Sequence, residues 1–178
     1  MNVFELTRRL VDIESITGNE APVGEYLFEL LGALARAHGG TVEKIEVEPR
    51  RFNVLACFGA PAVTLSTHLD TVPPYFASRE DDQYIWGRGA CDVKGIIAAM
   101  TKAAEELLAA GVSRFALLFV VGEERNSAGA YHMARLGRGS APRQHGRRRP
   151  RRRIEPRAGG ARPPAGLGRR GRHRSRGS

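Results

Sequence analysis

The pattern of apolar and polar positions divides the first 137 residues into helices and strands. Apolar side chains recur at helical spacing in four segments, which cover residues 2–13, 20–38, 93–110 and 127–136. Period-two alternation or a short apolar run predicts strands at 41–48, 52–58, 62–68, 84–86 and 114–121. Because strands and helices alternate along much of this segment, we predict a mixed α/β sheet with helices on its faces.

Local signals support several of these boundaries. Asn2 and Glu5 are spaced like the two partners of a capping box at the start of the first helix. Asn19 is predicted to cap the second helix, and Gly39 to end it. The run 114–121 is almost continuously apolar, which is typical of a strand covered on both faces.

Charge divides the chain into two parts of different character. Residues 1–137 contain 13 Lys and Arg against 18 Asp and Glu, a net charge of −5. Residues 138–178 contain 15 Arg, no Lys and one acid, Glu155, a net charge of +14, and the two parts together give the total of +9. The basic character belongs to the second part alone, so it says nothing about partners of the first.

The second part, 138–178, has no aromatic residue, eight Gly and five Pro. Such a segment buries too little apolar surface to offset the entropy of ordering, so we expect a disordered tail. One interpretation is an arm that binds nucleic acid non-specifically through its arginines. Natural basic arms usually mix Lys with Arg, however, and Arg, Gly, Pro and Ala all have GC-rich codons. We therefore favour a shifted reading frame or a truncation, with the break near 135–139.

Signals for export or membrane insertion are missing from the sequence. The first residues are amphipathic and contain no apolar run of signal-peptide length. No stretch reaches the roughly 18 apolar residues that span a bilayer. Two cysteines, Cys57 and Cys91, are too few for a disulfide framework in a chain of this size. We expect a cytoplasmic protein with no membrane partner.

Three polar clusters follow predicted strands, at residues 66–73, 87–95 and 120–124. Taken alone, each has an ordinary explanation: a surface histidine at His68, a helix cap at Asp92, and a solvated turn at the glutamates. Together they offer one imidazole and several carboxylates, which are ligands that zinc accepts. Sites in open α/β sheets lie at the carboxyl ends of strands, where these clusters are predicted to lie.

The spacing within two of these clusters suggests separate roles. His68 and Asp70 project to the same side of a strand, so Asp70 could hold the second ring nitrogen of a metal-bound His68. Glu123 and Glu124 would point to opposite sides if strand geometry continues to them. One could then bind metal while the other stays free to take a proton.

The three clusters contain the segments STHLDTVPP, GRGACDVKG and GEERNSAG. In this order and spacing they closely resemble the N-terminal motifs of a metallopeptidase family. That family contains acetylornithine deacetylase, succinyl-diaminopimelate desuccinylase, aminoacylase and glutamate carboxypeptidase. The resemblance covers residues 1–137, about the first third of a usual member, and implies an incomplete zinc-peptidase-like catalytic domain.

The resemblance also implies a role for each matching residue. His68 resembles a ligand of one metal, and Asp70 the catalytic carboxylate that orients it. Asp92 matches the aspartate that bridges both metals. Glu124 matches a ligand of the second metal, and Glu123 the general base. A complete site of this kind holds two zinc ions, for which cobalt can substitute, and cleaves the amide bond of an N-acyl amino acid or small peptide.

The sequence departs from the family's pattern after residue 137. The family has a further acidic ligand some two dozen residues after the glutamate pair, a distant histidine ligand and an inserted dimerisation domain. Arginines surround Glu155 where that acidic ligand is expected. Each metal would keep two protein ligands, fewer than the three or four that zinc takes. We expect an inactive or poor hydrolase that does not form the family's homodimer.

A nucleotide-binding α/β protein is the remaining alternative, because Gly87 and Gly89 loosely resemble a phosphate-binding loop. Asp92 stands where the third glycine of such a loop would lie. Its carboxylate would repel the phosphates of a nucleotide.

Overall fold

The computed structural model of the protein describes residues 1–137, so the predicted tail lies outside the described residues. In chain order the elements are α1 (Val3–Val11), α2 (Ala21–His38), β1 (Thr41–Glu48), β2 (Arg51–Phe58), β3 (Val63–His68), β4 (Arg79–Glu80), β5 (Ile85–Trp86), α3 (Gly95–Ala109), β6 (Phe115–Val120) and α4 (Ala128–Leu136). A single π-type turn, Ala90–Lys94, precedes α3. No helix in this part of the chain combines the length and apolar character needed to cross a membrane.

The predicted mixed α/β sheet is confirmed. Four strands form it in the order β1-β2-β6-β3, with β3 parallel to β6 and the other neighbours antiparallel. The short strands β4 and β5 pair separately. Only β4 was missed by the periodicity, because two exposed residues are too few to show an alternation.

The sheet is covered on both faces, and β6 runs through its middle with all six residues buried. On one face α1, α2 and α3 pack against the sheet through a large apolar core that includes Leu27, Ile97 and Phe119. On the other face Met133 of α4 packs with Leu118 and other residues of the sheet. This burial confirms the interpretation of the apolar run 114–121 as a doubly covered strand.

The N-terminal cap of α1 agrees with the prediction from sequence, and that of α2 differs from it. The Asn2 side chain accepts the Glu5 backbone N–H at 2.9 Å, and the Glu5 carboxylate accepts the Asn2 N–H at 3.0 Å, which is the predicted capping box. The prediction that Asn19 caps α2 is wrong. Glu20 holds that position without a side-chain cap, because its buried carboxylate pairs with Arg51 instead.

Strand β3 forms one edge of the four-stranded sheet. Among the described residues this strand pairs with β6 on one side only. Val63 is 51% exposed and Leu65 is 39% exposed, and no charged residue or proline lies within 63–67. The strand is therefore an unprotected edge with apolar side chains beside its unpaired backbone groups.

The buried Asn53 side chain connects β2 to α4 and to the residue after β6, and its replacement tests this packing. Its Nδ2 donates to the Gly129 carbonyl at 2.9 Å, and its Oδ1 accepts the Val121 N–H at 3.0 Å. Asn53→Ala leaves the buried Val121 N–H without its acceptor and removes one donor to the Gly129 carbonyl, so it should lower the free energy of unfolding by about 1–3 kcal/mol. Thermal and urea unfolding measure the loss. The exposed Asn19→Ala is the control, and equal stability of the two variants would contradict this account.

Candidate metal centre

The parallel pairing of β3 with β6 brings two of the predicted clusters together. His68 is the last residue of β3 and lies in register with Val120, the last residue of β6. Glu123 and Glu124 follow Val120 closely, so they leave the sheet beside His68. Asp92 reaches the same edge from the π-type turn that precedes α3.

The predicted metal ligands converge. His68 Nε2 lies 3.0 Å from Asp92 Oδ1. His68, Asp92 and Glu124 each offer one ligand atom, and these atoms all lie within 4.8 Å of one another. Glu123 Oε2 lies 3.8 Å from His68 Nε2, beside this group but outside it. The spatial arrangement expected from the motifs is therefore present.

The hydrogen bonds of His68 select which ring nitrogen can bind a metal. Its Nδ1 lies 2.9 Å from the backbone carbonyl oxygen of Asp70 and 3.4 Å from Asp70 Oδ1. A carbonyl oxygen only accepts, so Nδ1 carries the hydrogen and Nε2 faces the carboxylates. The sequence predicted the Asp70 carboxylate in this place. The carbonyl is the nearer partner because the carboxylate is engaged elsewhere.

The Asp70 carboxylate holds the loop that carries the glutamates. It is fully buried, and it accepts the backbone N–H of Glu123 at 3.0 Å and that of Glu124 at 3.1 Å. It also accepts the Thr17 hydroxyl at 2.8 Å. Burial raises the pKa of Asp70, but the hydrogen bonds from His68, Thr17 and the two amides outweigh it and leave the pKa below its usual value.

The prediction that Glu123 and Glu124 point to opposite sides is wrong. It assumed that the strand continues through them, whereas β6 ends at Val120 and Gly122 turns the chain with φ 77°. Both carboxylates therefore approach His68. They differ in position: Glu124 belongs to the ligand group, and the Glu123 side chain is 51% exposed beside it.

The charges at the site favour a bound cation. Burial raises the pKa of Glu124. The charge of His68 acts to lower it, but the negative charges of Asp92, Glu123 and Asp70 add to the effect of burial and the pKa stays raised. Burial lowers the pKa of His68, but its contacts with Asp70 and Asp92 outweigh this and raise the pKa to about 9. The crowded carboxylates thus hold a proton on the ring. A divalent ion would take over that charge, and one imidazole with two carboxylates is a donor set that fits zinc.

Two residues outside the predicted site lie near Asp70, and the sequence offered no signal for them. Thr17 donates to Asp70 from the loop between α1 and α2. Lys94 lies two residues after Asp92 and is buried. Burial lowers the pKa of its amine to about 7, although the negative charge of Asp70 acts to raise it.

The glycine loop has a packing explanation. Gly89 has φ 84°, and a Cβ there would lie 2.8 Å from the Thr71 side chain and 3.0 Å from that of Lys94. Glycine is therefore required by the close approach of the loop to its neighbours. The Asp92 side chain of the same loop faces His68, which disfavours the nucleotide-binding alternative.

The sequence profile of Peptidase family M20/M25/M40 matches residues 64–158, more than half of the chain. The chain belongs to this family. The match contains all five predicted site residues, and it ends beyond the predicted boundary at 137.

Curated relatives of this M20-family chain are much longer than the chain itself. A protein named Probable carboxypeptidase from Emericella nidulans is 44% identical over 139 residues, which cover 71% of this chain and 32% of that protein. A Peptidase M20 domain-containing protein of Schizosaccharomyces pombe is 38% identical over 137 residues, covering 72% and 33%. The chain thus spans about a third of the length of the curated relatives it matches.

Solved structures of peptidases share the fold. A tripeptidase from Staphylococcus aureus matches with a TM-score of 0.63 at 28% identity, covering 73% of this chain and 38% of that one. Human carnosine dipeptidase 1 matches with a TM-score of 0.63 at 19% identity, covering 75% and 34%. The second likeness shows the fold alone.

The raised pKa of His68 predicts a pH dependence in chelator-treated protein. The ordinary value of 6.5 applies to the unfolded chain and about 9 to the folded one. The stability from the protonated ring is therefore fully present below pH 6.5 and lost as the pH rises through about 9. Urea unfolding with EDTA should show wild type losing this advantage over His68→Gln across that range. A constant difference between the two would show that the ring is not protonated.

Proposed function

We propose that this chain carries part of the metal centre of a zinc-dependent hydrolase that cleaves the amide bond of N-acyl amino acids or small peptides. The convergence of His68, Asp92 and Glu124 within 4.8 Å, with Glu123 beside them, carries the proposal. Names of relatives support an amide substrate, since they include a probable carboxypeptidase and a tripeptidase.

The proposed ligands are His68 through Nε2, Asp92 and Glu124 through their carboxylates. A zinc ion supplies two things when bound: it lowers the pKa of a water molecule and polarises the scissile carbonyl. The His68 proton must leave for binding to occur, so zinc binding releases a proton to solvent. Asp70 keeps the glutamate loop in place through its two amide contacts.

Glu123 is the proposed general base. Its carboxylate lies 3.8 Å from His68 Nε2 and remains outside the ligand group, half exposed to a substrate arriving from solvent. It would take the proton of the attacking water and pass it to the departing amine. The products are a carboxylate and a free amine.

The number of ligands limits what residues 1–137 achieve by themselves. Two ions sharing Asp92 would have His68 and Asp92 on one side and Asp92 and Glu124 on the other. Zinc in catalytic sites normally has three protein ligands and a water. We therefore propose that this chain binds metal weakly and hydrolyses substrate at close to the uncatalysed rate. In the longer relatives, the remaining ligands would come from the part of their sequence that this chain does not match.

Zinc binding tests the ligand assignment directly. Removal of His68 or Glu124 takes away a donor, and the loss of a group that only supports a ligand already costs about 10–100-fold in affinity. We expect His68→Ala and Glu124→Ala to weaken zinc binding at least that much, measured by competition with a coloured chelator. His38→Ala is the control because His38 is exposed at the end of α2. Wild-type affinity in both ligand variants would refute the assignment.

Hydrolysis tests the limit set by the ligand count. With zinc supplied, the purified chain should hydrolyse a panel of N-acyl amino acids no faster than buffer alone, because the described residues give neither ion a complete set of ligands. Glu123→Ala should leave that rate unchanged. Strong hydrolysis that a chelator abolishes and Glu123→Ala removes would show that this chain suffices for catalysis.

A further inference from the structure

Lys94 is a buried lysine that the proposed reaction does not use. It is 1% exposed, although lysine is among the residues least often buried. Its Nζ lies 2.5 Å from Ser15 Oγ and 3.4 Å from the Ile13 carbonyl oxygen. Both partners belong to the loop between α1 and α2, which is about eighty residues away in sequence.

Ser15 connects this lysine to the segment that carries the histidine ligand. Its hydroxyl accepts from Lys94 and donates to the Leu69 carbonyl at 2.8 Å, which uses the single hydrogen of the hydroxyl. Its own carbonyl accepts the Thr71 N–H at 2.9 Å. One residue thus contacts both neighbours of Asp70 and the amine of Lys94.

The loop continues to hold this segment beyond Ser15. Ile16 and Thr71 form a parallel bridge, and the Thr17 N–H donates to the Thr71 carbonyl at 3.2 Å. The Thr17 hydroxyl donates to the Asp70 carboxylate. Residues 15–17 therefore lie along the chain immediately after His68.

The Asp92 side chain is exposed, so its position depends on how its backbone is held. Its side chain is 68% exposed, and its carboxylate contacts the His68 ring. Its backbone is extended (φ −126°, ψ 98°) within the π-type turn. Lys94 closes that turn through its N–H, which donates to the Gly89 carbonyl at 2.7 Å. The position of the Asp92 carboxylate thus depends on where Lys94 is anchored.

We propose that Lys94 and Ser15 are positioning residues that set the separation of Asp92 and His68 for metal binding. The proposal rests on the proposed function, because it assigns a role toward the metal that His68, Asp92 and Glu124 would hold. The contact between Lys94 and Ser15 connects the two ligand segments without touching the ion. Ligands held by such supporting contacts bind metal more tightly because less order is lost on binding.

The experiment compares metal affinity in wild type, Lys94→Met, Ser15→Ala and the double variant. Methionine keeps an unbranched side chain of nearly the same length and removes the amine that donates to Ser15. Each single variant should lose about 10–100-fold in zinc affinity. The double variant should lose little more than the weaker-binding single variant, since both changes break one contact. The absorption spectrum of the cobalt-loaded proteins should also change in band position.

Lys102→Met is the matched control. Lys102 lies on α3, about two turns into the helix, and makes a partly buried ion pair with Glu105. It should leave zinc affinity and the cobalt spectrum unchanged. If Lys94→Met does not fold, Ser15→Ala carries the test, because it removes the same contact with a much smaller change.

The outcomes separate the two proposals. Measurable zinc binding by wild type together with equal affinity in both variants overturns the positioning role alone. A lower unfolding temperature of the metal-free variants at unchanged affinity has the same meaning, because it shows a purely structural contact. No zinc binding by wild type overturns the proposed function, and the positioning role with it.

Discussion

The buried Asp70 carboxylate is the interaction on which the metal centre depends. It accepts the amides of Glu123 and Glu124 and the hydroxyl of Thr17, so three separate segments meet at one side chain. A buried carboxylate without such donors costs several kcal/mol, and its partners would in turn lose an acceptor. The geometry of the site therefore follows from satisfying one buried charge, and the loop after β6 has little freedom to move.

Much of the fold and the meeting of the site residues could be predicted from sequence. The doubly covered strand β6 follows from its apolar run, and the cap at Asn2 follows from a three-residue spacing. The convergence of the polar clusters follows from parallel strands, whose carboxyl ends share one edge of a sheet. These inferences succeed because each rests on local periodicity or on a rule of topology.

The errors have a common cause in long-range contacts. Glu20 replaces Asn19 as the cap because its carboxylate pairs with Arg51, which is remote in sequence. The two glutamates turn toward one side because Gly122 ends the strand geometry and Asp70 holds their amides. Periodicity within a segment contains no information about such partners. The buried Lys94 was missed for the same reason, since its role depends on Ser15.

The outward edge of β3 favours self-association of residues 1–137 as their concentration rises. Within residues 1–137 no strand pairs with its outward N–H and C=O groups, which lie beside Val63 and Leu65, and no charge within 63–67 discourages an approaching strand. Extended segments of other molecules can satisfy those groups, and the apolar side chains gain from the same contact. One six-residue strand would then favour association of residues 1–137, against the repulsion that comes from their net charge of −5.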